Sequence, residues 1–309
     1  MTGAAPSPFR RAGYRLLGAR FDYLLHTRPA EWPIMAAHTA LGYVLAVGIG
    51  GVAGGTALGA AVLGLLLWVV FLNGGTLAIN SAFDKDEGDI GYLRHPPPVP
   101  AHLFGFGMAL LVLGGGLSML LPPAFTAAYA ACFLLSVLYS VPPFRLKAVA
   151  GADWLINMIG FGALTPYAGW ALTGRPLDRA AVLVFVAFAP LFAALYPLTQ
   201  LYQFEEDRRR GDRTLALLLG ERASLGLALV ATLAAFSLFM LAGMERGWPA
   251  AGWRIGLQGA ALLSWLAVLL PWLFRWRGMT PAQHQRGMYA ALGAWAVTDL
   301  AVALGFGLA

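Results

Sequence analysis

Long apolar runs cover most of this chain, and each is closed by a short cluster of glycine, proline or charge. A helix needs ~20 largely apolar residues to cross a bilayer. On that length the runs predict nine spanning helices, over 33–53, 58–83, 101–121, 125–141, 150–173, 180–204, 221–243, 251–274 and 287–308. Pro122-Pro123 and Gly174-Arg175-Pro176 punctuate two of the boundaries. Ahead of the first run, Tyr14, Leu17, Phe21, Leu24 and Leu25 follow helical spacing, while Arg10, Arg11, Arg15 and Arg20 occupy much of the remaining surface. This segment, 9–26, reads as an amphipathic helix lying on the membrane surface, with an ordinary solvated helix as the competing reading. Residues 1–8 read as a short disordered tail. The chain thus divides into 1–32, a tail plus interfacial helix, and 33–309, one all-α polytopic membrane domain.

Composition supports that class. Of the 309 residues, 59% are hydrophobic and 12% charged, against about 25% charged in soluble domains. The single cysteine, Cys132, excludes an internal disulfide and reads as a packing residue. The arginine-rich, interrupted N-terminal segment supplies no apolar core for a secretory signal peptide. A net charge of +6 raises the question of nucleic acid, but the placement of that charge argues against it. Of the 21 Lys and Arg, 17 fall on one side of the nine-helix topology, and the other 4 are Arg175, Arg179, Arg246 and Arg254. This is a positive-inside bias. It predicts a cytoplasmic N-terminus, an external C-terminus and the lipid bilayer as partner, with no nucleic acid.

Chemistry concentrates at two helix ends on the cytoplasmic side. The first is LAINSAFDKDEGDIGYLRHPPP, 77–98, where Asn80 and Asp84 lie four residues apart on one helical face and Asp86, Glu87 and Asp89 follow. A carboxylate closing an apolar helix is costly to desolvate, so it is normally paired, metal-bound or turned to a wet cavity. The second is TQLYQFEEDRRRGDRTLALLLG, where Gln200, Gln203 and Asp207 at i, i+3 and i+7 share a stripe. Asn80, Asp84, Gln203 and Asp207 together offer oxygen ligands of low total charge. Mg²⁺ takes one or two carboxylates and completes its shell with water and phosphate. Arg145 and Lys147, in YSVPPFRLK, and Arg94 could contact phosphate oxygens; the competing reading for these cations is the positive-inside rule alone. Acidic helix ends beside basic loops are what a magnesium–diphosphate site needs.

These motifs resemble those of the UbiA superfamily of intramembrane prenyltransferases. That family pairs nine helices with aspartate-rich motifs after helices 2 and 6. The first motif begins Asn-Asp-x-x-Asp and usually ends in a further Asp. Here Asn80 and Asp84 match, Ser81 replaces an Asp, and Asp89 stands one position beyond the usual last acid. The second usually reads D-x-x-D-x-x-x-D-x-x-x-G-x-x-T-L. Here Asp207, Gly211, Thr214 and Leu215 match, while Gln200 and Gln203 occupy two Asp positions. Arg28-Pro29-Ala30-Glu31-Trp32-Pro33 is similar to the family's start of helix 1, and Tyr139-Ser140-Val141-Pro142-Pro143 to its helix 4 exit. The resemblance covers nearly the whole chain.

The resemblance implies a bundle with a central cavity opening to the cytoplasmic side. It implies magnesium-assisted ionisation of a prenyl diphosphate to an allylic cation, captured by an aromatic or other lipophilic acceptor. Asn80, Asp84, Gln203 and Asp207 would hold metal. Arg94, Arg145, Lys147, Gln200, Asp89 and Asn157 would bind substrate. Asp84, Asp207 and Tyr139 would carry catalysis, Tyr139 by steadying the cation with its ring face unless it is only an interfacial tyrosine. Asp153 and Asn157, at i and i+4, line the cavity or simply pair at a helix end. Asp299 is expected to make an interhelical hydrogen bond, and His38, His95 and His102 have no assigned role. The competing classes are a non-catalytic family member, a transporter, which would carry its charge near mid-membrane, and a CDP-alcohol phosphotransferase, whose D-G-x2-A-R-type pattern is missing.

Overall fold

The computed structural model describes residues 8–52, 58–84, 89–90, 93 and 95–308, and no strand forms among them. The tail 1–7, Asp86, Glu87 and Arg94 lie outside the described residues. The amphipathic segment forms two helices, α1 (Pro8–Leu17) and α2 (Phe21–His26), not one. Gly18, at φ 56, turns the chain between them. The apolar face also divides. Phe21 and Leu25 bury against Ile90 and Leu93 of the loop after the first motif, whereas Phe9, Leu16 and Leu17 stay exposed.

The long helices follow as α3 (Trp32–Val47), α4 (Leu58–Asp84), α5 (Leu103–Ser118) and α6 (Pro123–Ser140). The fifth predicted span is a broken rod, α7 (Ala152–Asn157) and α8 (Thr165–Ala171), joined by a π-helical stretch, Met158–Leu164. Then come α9 (Arg179–Gln200), a short α10 (Phe204–Arg210), α11 (Leu215–Glu245), α12 (Trp253–Arg275) and α13 (Pro281–Gly307). Among the described residues six helices are long and apolar enough to cross a membrane: α4, α6, α9, α11, α12 and α13. The sequence predicts helix over 180–204, but the chain turns at 201–203 and restarts as α10. It predicts a loop ahead of 221, where α11 already runs from Leu215 and bends at Gly220, φ 76.

Caps fix several starts. Asp178 accepts from Ala181 N at 2.8 Å, Thr214 from Leu217 N at 3.3 Å, and Thr280 forms a capping box with Gln283. Small residues then set how closely the helices approach. At the α3–α8 crossing a Cβ on Gly42 would lie 1.7 Å from the Pro166 carbonyl oxygen, and one on Gly169 1.8 Å from that of Thr39. Neither oxygen can move without parting the helices. Gly169→Ala is therefore expected to cost at or above the upper end of the about 1–3 kcal/mol typical of overpacking, read as a lower melting temperature of the detergent-solubilised protein. An unchanged melting curve would refute this account of the crossing.

Two apolar clusters result. One joins α3, α4, α6 and α8 around Trp68, Phe125 and Tyr129; the other joins α9, α11, α12 and α13 around Phe188, Phe239 and Trp265. His38 and Asp299 tie α3 to α13 at 3.0 Å. The expected interhelical role of Asp299 is thus found, with His38 as the partner. The cavity lies between the two clusters.

Candidate active site

The cavity has a volume of about 350 Å³. Its depth is apolar, with Trp68, Leu72, Leu135, Phe161, Phe192 and Met288 among its walls. Its mouth is polar and gathers Asn80, Asp84, Lys147, Gln203, Asp207 and Asp212. Two π-helical stretches, Leu67–Asn73 within α4 and Met158–Leu164, both contribute lining residues. Such stretches recur at functional sites because they re-aim side chains out of the regular helical stripe.

The two motifs are distant in sequence, and each is tied to the loop that carries Arg145 and Lys147, the second by a backbone bond and the first by ion pairs. Arg213 N donates to Ala148 O at 3.2 Å, which pins the turn after α10 to the loop carrying Arg145 and Lys147. Arg145 adopts φ 36, a left-handed conformation unusual for a side-chain-bearing residue. Its guanidinium reaches Asp212 at 2.5 Å and Asp84 at 3.6 Å. Lys147, buried to 8% exposure, pairs with Asp84 and donates to Asn80 Oδ1 at 3.3 Å. Arg210 pairs with Asp207 at 2.9 Å and with Asp212 at 3.3 Å. Three carboxylates, Asp84, Asp207 and Asp212, therefore face three cations, Arg145, Lys147 and Arg210. Burial pushes the Asp207 carboxyl above the usual carboxylate range, opposed by its hydrogen bond and attraction to Arg210.

Below the mouth sits a second hydrogen-bonded group. Tyr139 Oη and Tyr196 Oη lie 2.8 Å apart, and Gln200 Nε2 donates to Tyr196 Oη at 3.1 Å and to Asp153 Oδ2 at 3.4 Å. Asn157 donates to the Asp153 carbonyl at 2.8 Å. Asp207 Oδ2 and Gln200 Oε1 are buried and accept no hydrogen bond among the described residues. These hard oxygen donors suit a divalent cation such as Mg²⁺. Among the described residues no group of three or more His, Cys, Asp and Glu side chains forms a cation site by itself, so amide oxygens, water and a ligand's own oxygens would complete the shell.

Of the sequence-predicted site residues, Asn80, Asp84, Tyr139, Lys147, Asn157, Gln200, Gln203 and Asp207 all line the cavity. Arg145 reaches the mouth through its ion pairs. Asp89 does not line the cavity; it accepts from His95 N at 2.9 Å within its own loop. Arg94 falls outside the described residues. Sequence reasoning missed Asp212, Arg210, Tyr196 and the cavity-lining Arg28 and Glu31. Tyr196 was findable, since it stands four residues before Gln200 on the same helical face. Arg210 was hidden inside an arginine run that the positive-inside rule already accounts for.

The sequence matches the model of the UbiA prenyltransferase family over residues 32–292. No curated protein matches it. The fold is similar to a solved UbiA homolog from Archaeoglobus fulgidus bound to GPP and Mg²⁺, with a TM-score of 0.69 and 22% identity over 92% of this chain and 98% of that one. The same homolog bound to DMAPP and Mg²⁺ gives 0.66 and 20% over 89% and 98%. A digeranylgeranylglyceryl phosphate synthase gives 0.66 and 17% over 92% and 97%. At these identities the likeness shows the shared fold, and the family match covers most of the chain. The chain belongs to the UbiA prenyltransferase family.

Proposed function

We propose that this integral membrane protein moves a prenyl group from a prenyl diphosphate to an aromatic or other lipophilic acceptor. One observation carries the reading: Asp84 and Asp207, from two distant motifs, meet Lys147, Arg145 and Arg210 at the mouth of an apolar cavity. Family neighbours are solved with DMAPP or GPP and Mg²⁺, which supports both substrate and metal. In this reading Asn80, Asp84, Gln203 and Asp207 hold Mg²⁺, with Gln200 beside them. Bound Mg²⁺ supplies charge neutralisation at the departing diphosphate.

The ion pairs of the mouth then exchange partners. A magnesium diphosphate brings cations for the carboxylates and an anion for Arg145, Lys147 and Arg210, so no buried charge is left unmatched. Tyr139 faces the developing allylic cation, and the apolar walls keep water from it. Nine spans, with the mouth and N-terminus cytoplasmic, complete the reading. It is supported by the ends of the bundle: Arg175 bonds Ala46 O and Arg246 pairs with Asp178, at helix ends remote from Asp84.

The test is purified protein with a panel of prenyl diphosphates and lipophilic acceptors, read by product mass; a panel yielding no prenylated product would favour a non-catalytic member. Turnover is expected to require Mg²⁺ or Mn²⁺ and to vanish with excess EDTA. Undiminished product in the chelator would contradict the metal site.

Gln203 offers a graded check. It is the N-cap residue of α10 and makes no side-chain cap. Gln203→Asp is expected to keep activity and tighten the apparent magnesium affinity, since it adds a carboxylate and a preferred N-cap. Gln203→Leu is expected to weaken magnesium and diphosphate binding together. An unchanged magnesium titration in Gln203→Leu would remove this residue from the site.

A further inference from the structure

Asp153 is fully buried on α7, and the proposed mechanism gives its carboxylate no task. Its Oδ1 accepts from Gly151 N at 2.9 Å, and its Oδ2 accepts from Leu215 N at 3.1 Å and from Gln200 Nε2 at 3.4 Å. A carboxylate only accepts hydrogen bonds, so it can meet only the nitrogen end of a glutamine amide. Tyr196 Oη takes the same Nε2 at 3.1 Å. With the nitrogen fixed on that side, Gln200 Oε1 must face the other way. That oxygen is buried, has no hydrogen-bond partner among the described residues, and belongs to a side chain lining the cavity.

We propose that Asp153 is a positioning residue of this site, which locks the Gln200 amide with its carbonyl oxygen toward the metal–diphosphate mouth. This rests on the metal reading given under Proposed function and deepens it. A glutamine amide is nearly symmetric in shape, and reversing it exchanges an oxygen donor for an N–H₂ group that repels a cation. An aspartate needs no such control, because both its oxygens can coordinate. A glutamine at this position does need it, and the acceptor-only neighbour supplies it. The signal in the sequence is the pair itself, a buried acid at 153 and an amide at 200.

Asp153 also holds Leu215 N, so the test must separate positioning from structure. The probe is Mn²⁺ with inorganic pyrophosphate, read by electron paramagnetic resonance on the purified full chain, beside a melting curve for each variant. Asp153→Asn is expected to weaken Mn²⁺ about twofold or more, because an amide can face Gln200 either way round and holds the carbonyl toward the mouth only part of the time. Gln200→Glu alone sets two carboxylates in contact and is expected to lower the melting temperature. The double variant Asp153→Asn/Gln200→Glu exchanges donor and acceptor across the pair. It is expected to melt higher than Gln200→Glu and to bind Mn²⁺ at least as tightly as wild type.

Asp153→Asn and the double variant share the asparagine at 153, so the difference between them reads the effect of residue 200. Wild-type affinity in Asp153→Asn, or a double variant no tighter than Asp153→Asn, would overturn the proposal. If Asp153→Asn does not fold, a double variant that fails to fold or to bind overturns it as well. Loss of prenyl transfer in a wild type that still binds Mn²⁺-pyrophosphate would instead count against the functional reading and leave the role of Asp153 standing.

Discussion

Asp84→Ala is expected to lower prenyl transfer at least a hundredfold while the protein still folds, and Asp207→Ala to do the same. Both carboxylates are proposed to hold the metal that neutralises the leaving diphosphate. Loss of one such preorganised electrostatic contact typically raises a barrier by about 3–4 kcal/mol, or ~10²–10³ in rate. The two variants should differ in the protein without substrate. Asp84 neutralises Lys147 and lies 3.6 Å from Arg145, so its removal leaves a buried ammonium short of a partner and should lower the melting temperature. Asp207 lies against Arg210, which keeps Asp212 at 3.3 Å and Glu206 at 3.4 Å, so Asp207→Ala should cost less stability. Near-normal turnover in either well-expressed variant would rule out the site.

Much of this site was legible in the sequence because helical spacing is local. Asn80 and Asp84 share a face at i and i+4 whatever the rest of the chain does; Gln200, Gln203 and Asp207 do not share one helix, because the chain turns at 201–203, yet all three line the cavity. What could not be read was which partners meet across helices. His38 and Asp299 are 261 positions apart, and neither sits in a motif. Asp212 lies between two motif positions, Gly211 and Thr214, yet the turn at Gly211, φ 73, aims it back at Arg145 and Arg210. The breaks within helices were equally hidden. Leu67–Asn73 and Met158–Leu164 are as apolar as their neighbours, so hydropathy shows no interruption where the backbone changes its period. Helix ends drifted for a related reason: hydropathy marks the bilayer, while a cap such as Thr214 or Thr280 starts the helix outside it.

Lys147→Met is expected to separate the two halves of the site. Methionine keeps much of the apolar stem and removes the charge that reaches Asp84 and Asn80. Breaking a buried ion pair by deleting one partner typically costs about 3–5 kcal/mol, because the other charge is left uncompensated. Here a divalent cation can restore that compensation. Mn²⁺ binding without diphosphate should therefore be unchanged or tighter in Lys147→Met, since the ammonium no longer competes for Asp84. Prenyl diphosphate binding should weaken, and turnover at saturating substrate should drop by about a hundredfold, because one cation aimed at the leaving group is gone. The melting temperature should fall in EDTA and recover with Mn²⁺ more than in the wild type, by linkage of binding to folding. An alternative in which Lys147 only anchors its loop predicts the opposite split, with metal binding and turnover falling together and no recovery on adding Mn²⁺. Measuring Mn²⁺ affinity, diphosphate affinity and kcat on the same preparation distinguishes the two. Wild-type kcat in Lys147→Met would remove the lysine from the leaving-group contact altogether.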